Sequence, residues 1–207
     1  MINELMRRRA LLSASESLPY DAQVEWLSNG GTAFIDTGII PKDTPRVVLK
    51  VAQMDNFDTD VFGFATNTVP SFVGDLSYHL TNNTQGFQYY RYYSTTGVGQ
   101  VLVFPGIGLG TYAEWDLGYI CKCNGQLLTT LTRQSFVNNS QTLYLFKGRT
   151  LCSQHARVAY FQVYDGDALM RDFIPVRVGQ VGYMYDKVSK QLFGNAGSGA
   201  FIFGNDI

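Results

Sequence analysis

The chain has 207 residues, 45% of them hydrophobic and only 16% charged, with 21 glycines and a formal net charge of −1. That length fits one substantial domain burying roughly 70% of its unfolded surface, so stability requires neither disulfides nor a metal. The near-zero charge provides no field for nucleic acid or an anionic membrane, and no apolar run reaches the ~20 residues of a spanning helix.

Residues 2 to about 15 read as the one helical segment. Ile2, Leu5, Met6, Arg9 and Leu12 follow the i, i+3, i+4, i+7 spacing, and Ser15, Ser17 and Pro19 end it. The apolar stripe is narrow, and an isolated helix of this length does not persist in water, so it is expected to dock on something. The readings are a docking arm for a neighbouring subunit, packing on its own domain, or a nucleic-acid contact through Arg7, Arg8 and Arg9. The first is preferred, and three arginines against a neutral domain count against the last. Ala10 to Leu12 is too short for the apolar region of a signal peptide.

From Tyr20 onward the pattern is strand, turn, strand. Strands are expected at Ala33–Gly38 and Arg46–Val51, then at Phe57–Ala65, Ser71–Leu80, Gly86–Tyr93 and Gln100–Phe104. Glu114–Cys123 and Gln126–Leu131 flank Asn124-Gly125, a strong two-residue hairpin signal. Leu143–Phe146, Arg157–Tyr164 and Leu169–Phe173 follow, with a further turn at Asp165-Gly166. About a dozen short strands without intervening helices predict an all-β chain of two packed antiparallel sheets. The expected organisation is an N-terminal helical docking arm over residues 1–19 and a β-sandwich over residues 20–207.

Two segments carry a resemblance. VEWLSNGGTAFIDTGI (residues 24–39) and RVAYFQVYDGDALMRDFIPVRVGQVGYMYDKVSKQLFGNAGSGAFIFG (residues 157–204) resemble the concanavalin A-like (laminin-G/pentraxin-type) jelly-roll domains of tailed-phage structural proteins and bacterial surface proteins. The opening Glu4 to Leu12 is similar to the short basic leader of many phage appendage proteins. The resemblance implies a jelly-roll sandwich whose first and last strands pair. It also implies a non-enzymatic virion component, such as a head-fibre, capsid-decoration or tail-appendage subunit, assembled in the host cytoplasm. Phage capsid or tail proteins would be its partners, a homo-oligomer such as a trimer its state, and a host-surface glycan its candidate ligand. The alternative is a carbohydrate-binding module or adhesin of a cellular organism.

The chemistry-bearing motifs are few. Laminarinase-type glycosidases of this fold carry Glu-x-Asp-x-x-Glu on one strand, where alternation aligns the acids. Here Glu114 and Asp116 are followed by Tyr119 in the third place, so the pattern lacks an acid and no enzyme is expected. The run Phe87 to Tyr93 is aromatic. Phe87, Tyr89, Arg91 and Tyr93 share one face of a strand, and Gln88, Tyr90 and Tyr92 the other. The open readings for Tyr89, Tyr90, Tyr92 and Tyr93 are a subunit interface, a glycan-stacking platform or plain surface.

Pro105 to Gly110 matches no nucleotide-binding spacing and reads as a loop, with Ile107 and Leu109 exposed. Asp55, Asp58 and Asp60 are ordinary solvent-facing acids or, less favourably, calcium ligands. Cys121 and Cys123 would share a strand face and stay reduced, and neither His79 nor His155 has a ligand-like neighbour, so no cofactor or metal is expected.

Overall fold

A computed structural model describes residues 17–54, 61–63, 77–80, 88–92, 100–104, 107–133, 136, 140–147 and 156–207. The described residues form strands and connecting loops, with no helix among them. In chain order the strands are β1 (Ala22–Gln23), β2 (Leu27–Asn29), β3 (Ile35–Asp36), β4 (Pro45–Gln53), β5 (Phe62–Gly63), β6 (Ser77–Leu80), β7 (Gln88–Tyr92), β8 (Gln100–Phe104) and β9 (Tyr112–Leu117). They continue with β10 (Ile120–Cys123), β11 (Gln126–Thr130), β12 (Tyr144–Leu145), β13 (Ala156–Asp165), β14 (Ala168–Val178), β15 (Val181–Asp186), β16 (Gln191–Phe193) and β17 (Phe201–Phe203).

The main sheet runs β11-β10-β9-β4-β13-β14-β15-β16, every pair antiparallel. Its centre is the pairing of β4 with β13, two strands more than a hundred residues apart in the chain. In β4 the sequence alternates: Val47, Leu49 and Val51 face the core, while Arg46 and Lys50 face outward. β13 keeps the same polarity only because a bulge between Val158 and Tyr160 inserts one residue, so that Val158 and Phe161 both point inward.

At Phe173 the long strand β14 parts from β13. β2 then takes the freed edge of β13 at Arg157 and Val158, while β1 takes that of β14 at Val176 and Arg177. Pro175 sits at this change of partner, where a residue without an N–H disrupts the least continuous ladder. β15 then crosses close to β2. A Cβ on Gly182 would lie 2.6 Å from Leu27 Cδ1, so a larger residue there would force the Leu27 side chain to move.

A small sheet, β3-β12-β5, covers the inner face. Ile35, Leu145 and Phe62 form one cross-strand row in it, all fully buried. Aromatic rings pack within and between the layers: Phe62 lies 6.0 Å from Phe161, Phe161 lies 6.3 Å from its cross-strand partner Phe173, and Phe146 lies 5.7 Å from Phe201. Each fully buried phenylalanine contributes about 1.5–3 kcal/mol of transfer free energy. The described residues are therefore all-β, in packed antiparallel sheets that form a β-sandwich. A third sheet, β6-β7-β8, completes the described strands.

The segments at the two ends interlock. β2 pairs with β17, and Val24 bridges Asp206. Arg177 binds Asp206 through two contacts of 2.7 and 2.6 Å. The glycine-rich runs meet as well: Gly30 N–H donates to Ala200 O (3.2 Å), and Thr32 Oγ1 donates to Ser198 O (2.9 Å). Asn29 Oδ1 accepts from Gly31 and Ala33, while Asn195 Oδ1 accepts from Phe34 and Gly197.

Three expectations need correction. Glu114–Cys123 is two strands, because the chain reverses after Leu117 and pairing resumes with Cys121 opposite Leu117. At the reversal Gly118 packs close to β4, where an added Cβ would meet Arg46 Cβ at 3.1 Å. Leu169–Phe173 extends to Val178, carried past Pro175 by β15 and β1. Ala33–Gly38 contracts to the two residues of β3. The Asn124-Gly125 and Asp165-Gly166 turns are present, with Asn124, Gly125 and Gly166 all at positive φ. Residues 1–16, the helical portion of the expected arm, lie outside the described residues.

Candidate binding face

Alternation turns one face of β9, β4 and β13 to the core and leaves the other polar. On that outer face Tyr160, Lys50 and Glu114 form one cross-strand row. Gln162, Val48, Asp116 and Lys122 form the next. Tyr164 opposes Arg46 in a third. Val48, 8% exposed, is the apolar floor beneath these longer side chains.

The side chains are joined laterally. Arg46 donates from Nε and Nη2 to the two carboxylate oxygens of Asp116, at 2.6 and 3.0 Å. Its guanidinium lies 4.5 Å from the centre of the Tyr164 ring. Such a planar fork fixes geometry on both partners. The hydrogen bond to Asp116 holds the Arg46 pKa above its ordinary value, against the opposing effect of burial. Tyr164 donates to Gln162 (3.2 Å), Gln162 donates to Asp172 (3.1 Å), and Lys187 pairs with Asp172 (2.7 Å). Tyr160 donates to Glu114, and its phenol is pushed up, first by burial and then by that carboxylate.

A cleft opens at each end of this network. The first, of about 360 Å3, lies at the β9–β10 turn and is lined by Arg46, Asp116, Tyr119, Lys122, Arg133 and Asp167, among others. Arg133 reaches in from the chain beyond β11, donating to Thr44 Oγ1 (2.9 Å) and approaching Asp43 (3.3 Å), with its guanidinium 6.0 Å from the Tyr119 ring centre. The second cleft, of about 340 Å3, is lined by Glu25, Trp26, Lys50, Tyr112, Arg157 and Ala159. There the Arg157 guanidinium stacks 4.2 Å from the Trp26 ring, and the buried Tyr112 hydroxyl has no hydrogen-bond partner among the described residues. Arg46 and Lys50, one at each cleft, are four residues apart on β4, or about 13 Å at strand rise.

The sequence-predicted sites fall unevenly. Glu114 and Asp116 do share a face beside a buried Trp115, but β9 is an interior strand, and each acid is already engaged, by Tyr160 and Arg46. Tyr89, Tyr90 and Tyr92 lie on β7, the middle strand of its sheet, with Tyr90 opposite Tyr78 and Leu102. Tyr93, the arm residues Ile2, Leu5, Met6, Arg7, Arg8, Arg9 and Leu12, and the acids Asp55, Asp58 and Asp60 lie outside the described residues.

Leu109 is exposed as expected, whereas Ile107 packs against the core. Cys121 and Cys123 are free thiols on the inward face, and burial pushes Cys121 up to about 12. Among the described residues no three His, Cys, Asp or Glu side chains are placed to hold a metal ion, and no helix is long and apolar enough to cross a membrane.

Sequence reasoning passed over Arg46, Lys122, Tyr160, Tyr164 and the Trp26–Arg157 pair. The signal was the outward half of the alternation. Arg46 and Lys50 on one strand, and Tyr160 and Tyr164 on another, are too polar for the core at positions the sheet holds rigid. No protein-family model matches this sequence, and no curated protein matches it either.

Proposed function

We propose that the chain is a non-enzymatic virion structural protein of a tailed phage, of the head-fibre, capsid-decoration or tail-appendage type, displaying a lectin-like sandwich. The observation that carries the lectin-like part is the outer face of the main sheet. Tyrosine rings, guanidinium groups and carboxylates are held there by one another over an apolar floor, with a cleft at each end. Rigid hydrogen-bonding groups beside aromatic rings are what recognition of a polyhydroxylated ligand requires.

The non-enzymatic part draws support from the same network. Asp116 accepts both bonds of the Arg46 fork and Glu114 accepts from Tyr160, so the two outward acids of β9 are each engaged by a protein group. Virion placement follows from the resemblance of residues 24–39 and 157–204 to jelly-roll domains of phage particles. Ile2, Leu5, Met6 and Leu12 would dock the arm on capsid or tail proteins, and the β7 tyrosines would serve a homo-oligomer such as a trimer. Multivalent display would then turn weak single-site affinity for a host glycan into useful avidity. A carbohydrate-binding module or adhesin of a cellular organism would use the same face.

Quantitative mass spectrometry of density-gradient-purified particles tests the placement. The expected result is a fixed ratio of this chain to the major capsid protein. Its absence from particles, with the chain present in cells or medium, would overturn the virion reading and leave the adhesin.

A further inference from the structure

We infer that the cleft at the β9–β10 turn is the principal sugar subsite and that it takes an uncharged hexose-type unit. This inference rests on the lectin-like reading above. The cleft's volume, about 360 Å3, lies at the small end of ligand pockets and has room for about one or two sugar rings. Its chemistry is balanced. Arg46, Lys122 and Arg133 face Asp116, Asp43 and Asp167, so a ligand of either charge meets a like charge within the same cleft.

A neutral polyhydroxylated ring meets no such conflict, because each hydroxyl both donates and accepts. The Arg46–Asp116 fork is a prepaid polar plate: its geometry is fixed before any ligand arrives, and Asp116 keeps acceptor capacity beyond the two bonds it receives. Lys122 and Asp167, both lining the cleft, form no ion pair among the described residues, which leaves a donor and an acceptor for the ligand. Tyr119 supplies the apolar wall. Its attendant Arg133 sits 6.0 Å from the ring centre, at the outer limit of a cation–π contact, and does not seal the ring as Arg157 seals Trp26 at 4.2 Å. That contrast is why this cleft, and not the one beside Trp26, is assigned the sugar.

The test is titration of the full-length protein, by calorimetry and by NMR, with three sets of oligosaccharides: neutral hexose and N-acetylhexosamine oligomers, uronate or sialylated oligomers, and free-amine oligomers. Binding by the neutral set is expected, with an affinity that changes less than about twofold between low and high salt. Lys122→Ala and Asp167→Asn, both at solvent-facing positions, are each expected to weaken it about tenfold, while Arg157→Ala leaves it unchanged. A preference for either charged set overturns the inference, as does loss of binding in Arg157→Ala with Lys122→Ala and Asp167→Asn unaffected. If none of the sets binds while the chain is found at fixed ratio in particles, this inference fails and the virion reading stands. If neutral sugars bind here and the chain is absent from particles, the inference stands and the placement fails.

Discussion

The two faces of β4, β9 and β13 are built from the same three strands, yet they are held by different physics. On the inner face, Leu49, Trp115 and Phe161 are almost wholly shielded from water, and contact is non-directional. On the outer face, Arg46, Asp116, Gln162 and Tyr164 are partly exposed and joined by directed bonds. Burial stabilises the first. The second gains little net free energy from each bond, because water competes for it, but it gains fixed geometry. A surface so organised gains order more than stability.

The largest effect should come from the inner face. Phe161→Ala removes a ring in contact with Phe62 and Phe173 and is expected to cost about 3–5 kcal/mol, read from the midpoint of chemical denaturation. A cost below 1 kcal/mol would show that the layers are not packed through this ring.

A buried polar group comes next. Asp186 is fully buried and accepts from the Ser189 hydroxyl and from the backbone N–H of Asp172, Val188 and Ser189. Burial alone would raise its pKa, but these four bonds outweigh it and hold the carboxyl below its ordinary range. Its contribution is therefore fully present above the unfolded value, near ~3.9, and is lost as pH falls through the lower folded value. Asp186→Asn should cost about 2 kcal/mol at neutral pH and flatten the acid limb of the stability profile. An unchanged acid limb would remove Asp186 from that account.

The smallest effect belongs to the outer face. Arg46→Ala breaks the fork to Asp116 and is expected to cost about 1 kcal/mol or less, since both side chains remain partly in water. If it cost as much as Phe161→Ala, the distinction between the faces would collapse.

Much of the inner face was legible in the sequence. The Val47, Leu49, Val51 alternation and the Asn124-Gly125 turn are local signals, and the two terminal segments did prove to be neighbours. The β9–β10 reversal was not legible. Its local sign is a single glycine, Gly118, and the pairing that shows the turn, Cys121 opposite Leu117, becomes visible only in the folded sheet. β3, β12 and β5 were blurred for a related reason, since two-residue strands exist only through their pairing partners. The outer network escaped because Arg46, Asp116 and Tyr164 become neighbours only through strand register.

The pairing of β4 with β13 and of β2 with β17 also governs how the molecule comes into being. A ribosome delivers β2 and β4 long before their partners, and at roughly 5–20 residues per second the wait lasts on the order of ten seconds. Throughout that interval Val47, Leu49 and Val51 are an apolar face that still lacks the β13 side of its core. The protein is thus exposed to misassociation during its own synthesis, and the polar residues Arg46 and Lys50, interleaved along the same strand, are positioned to discourage it before they have any surface to decorate.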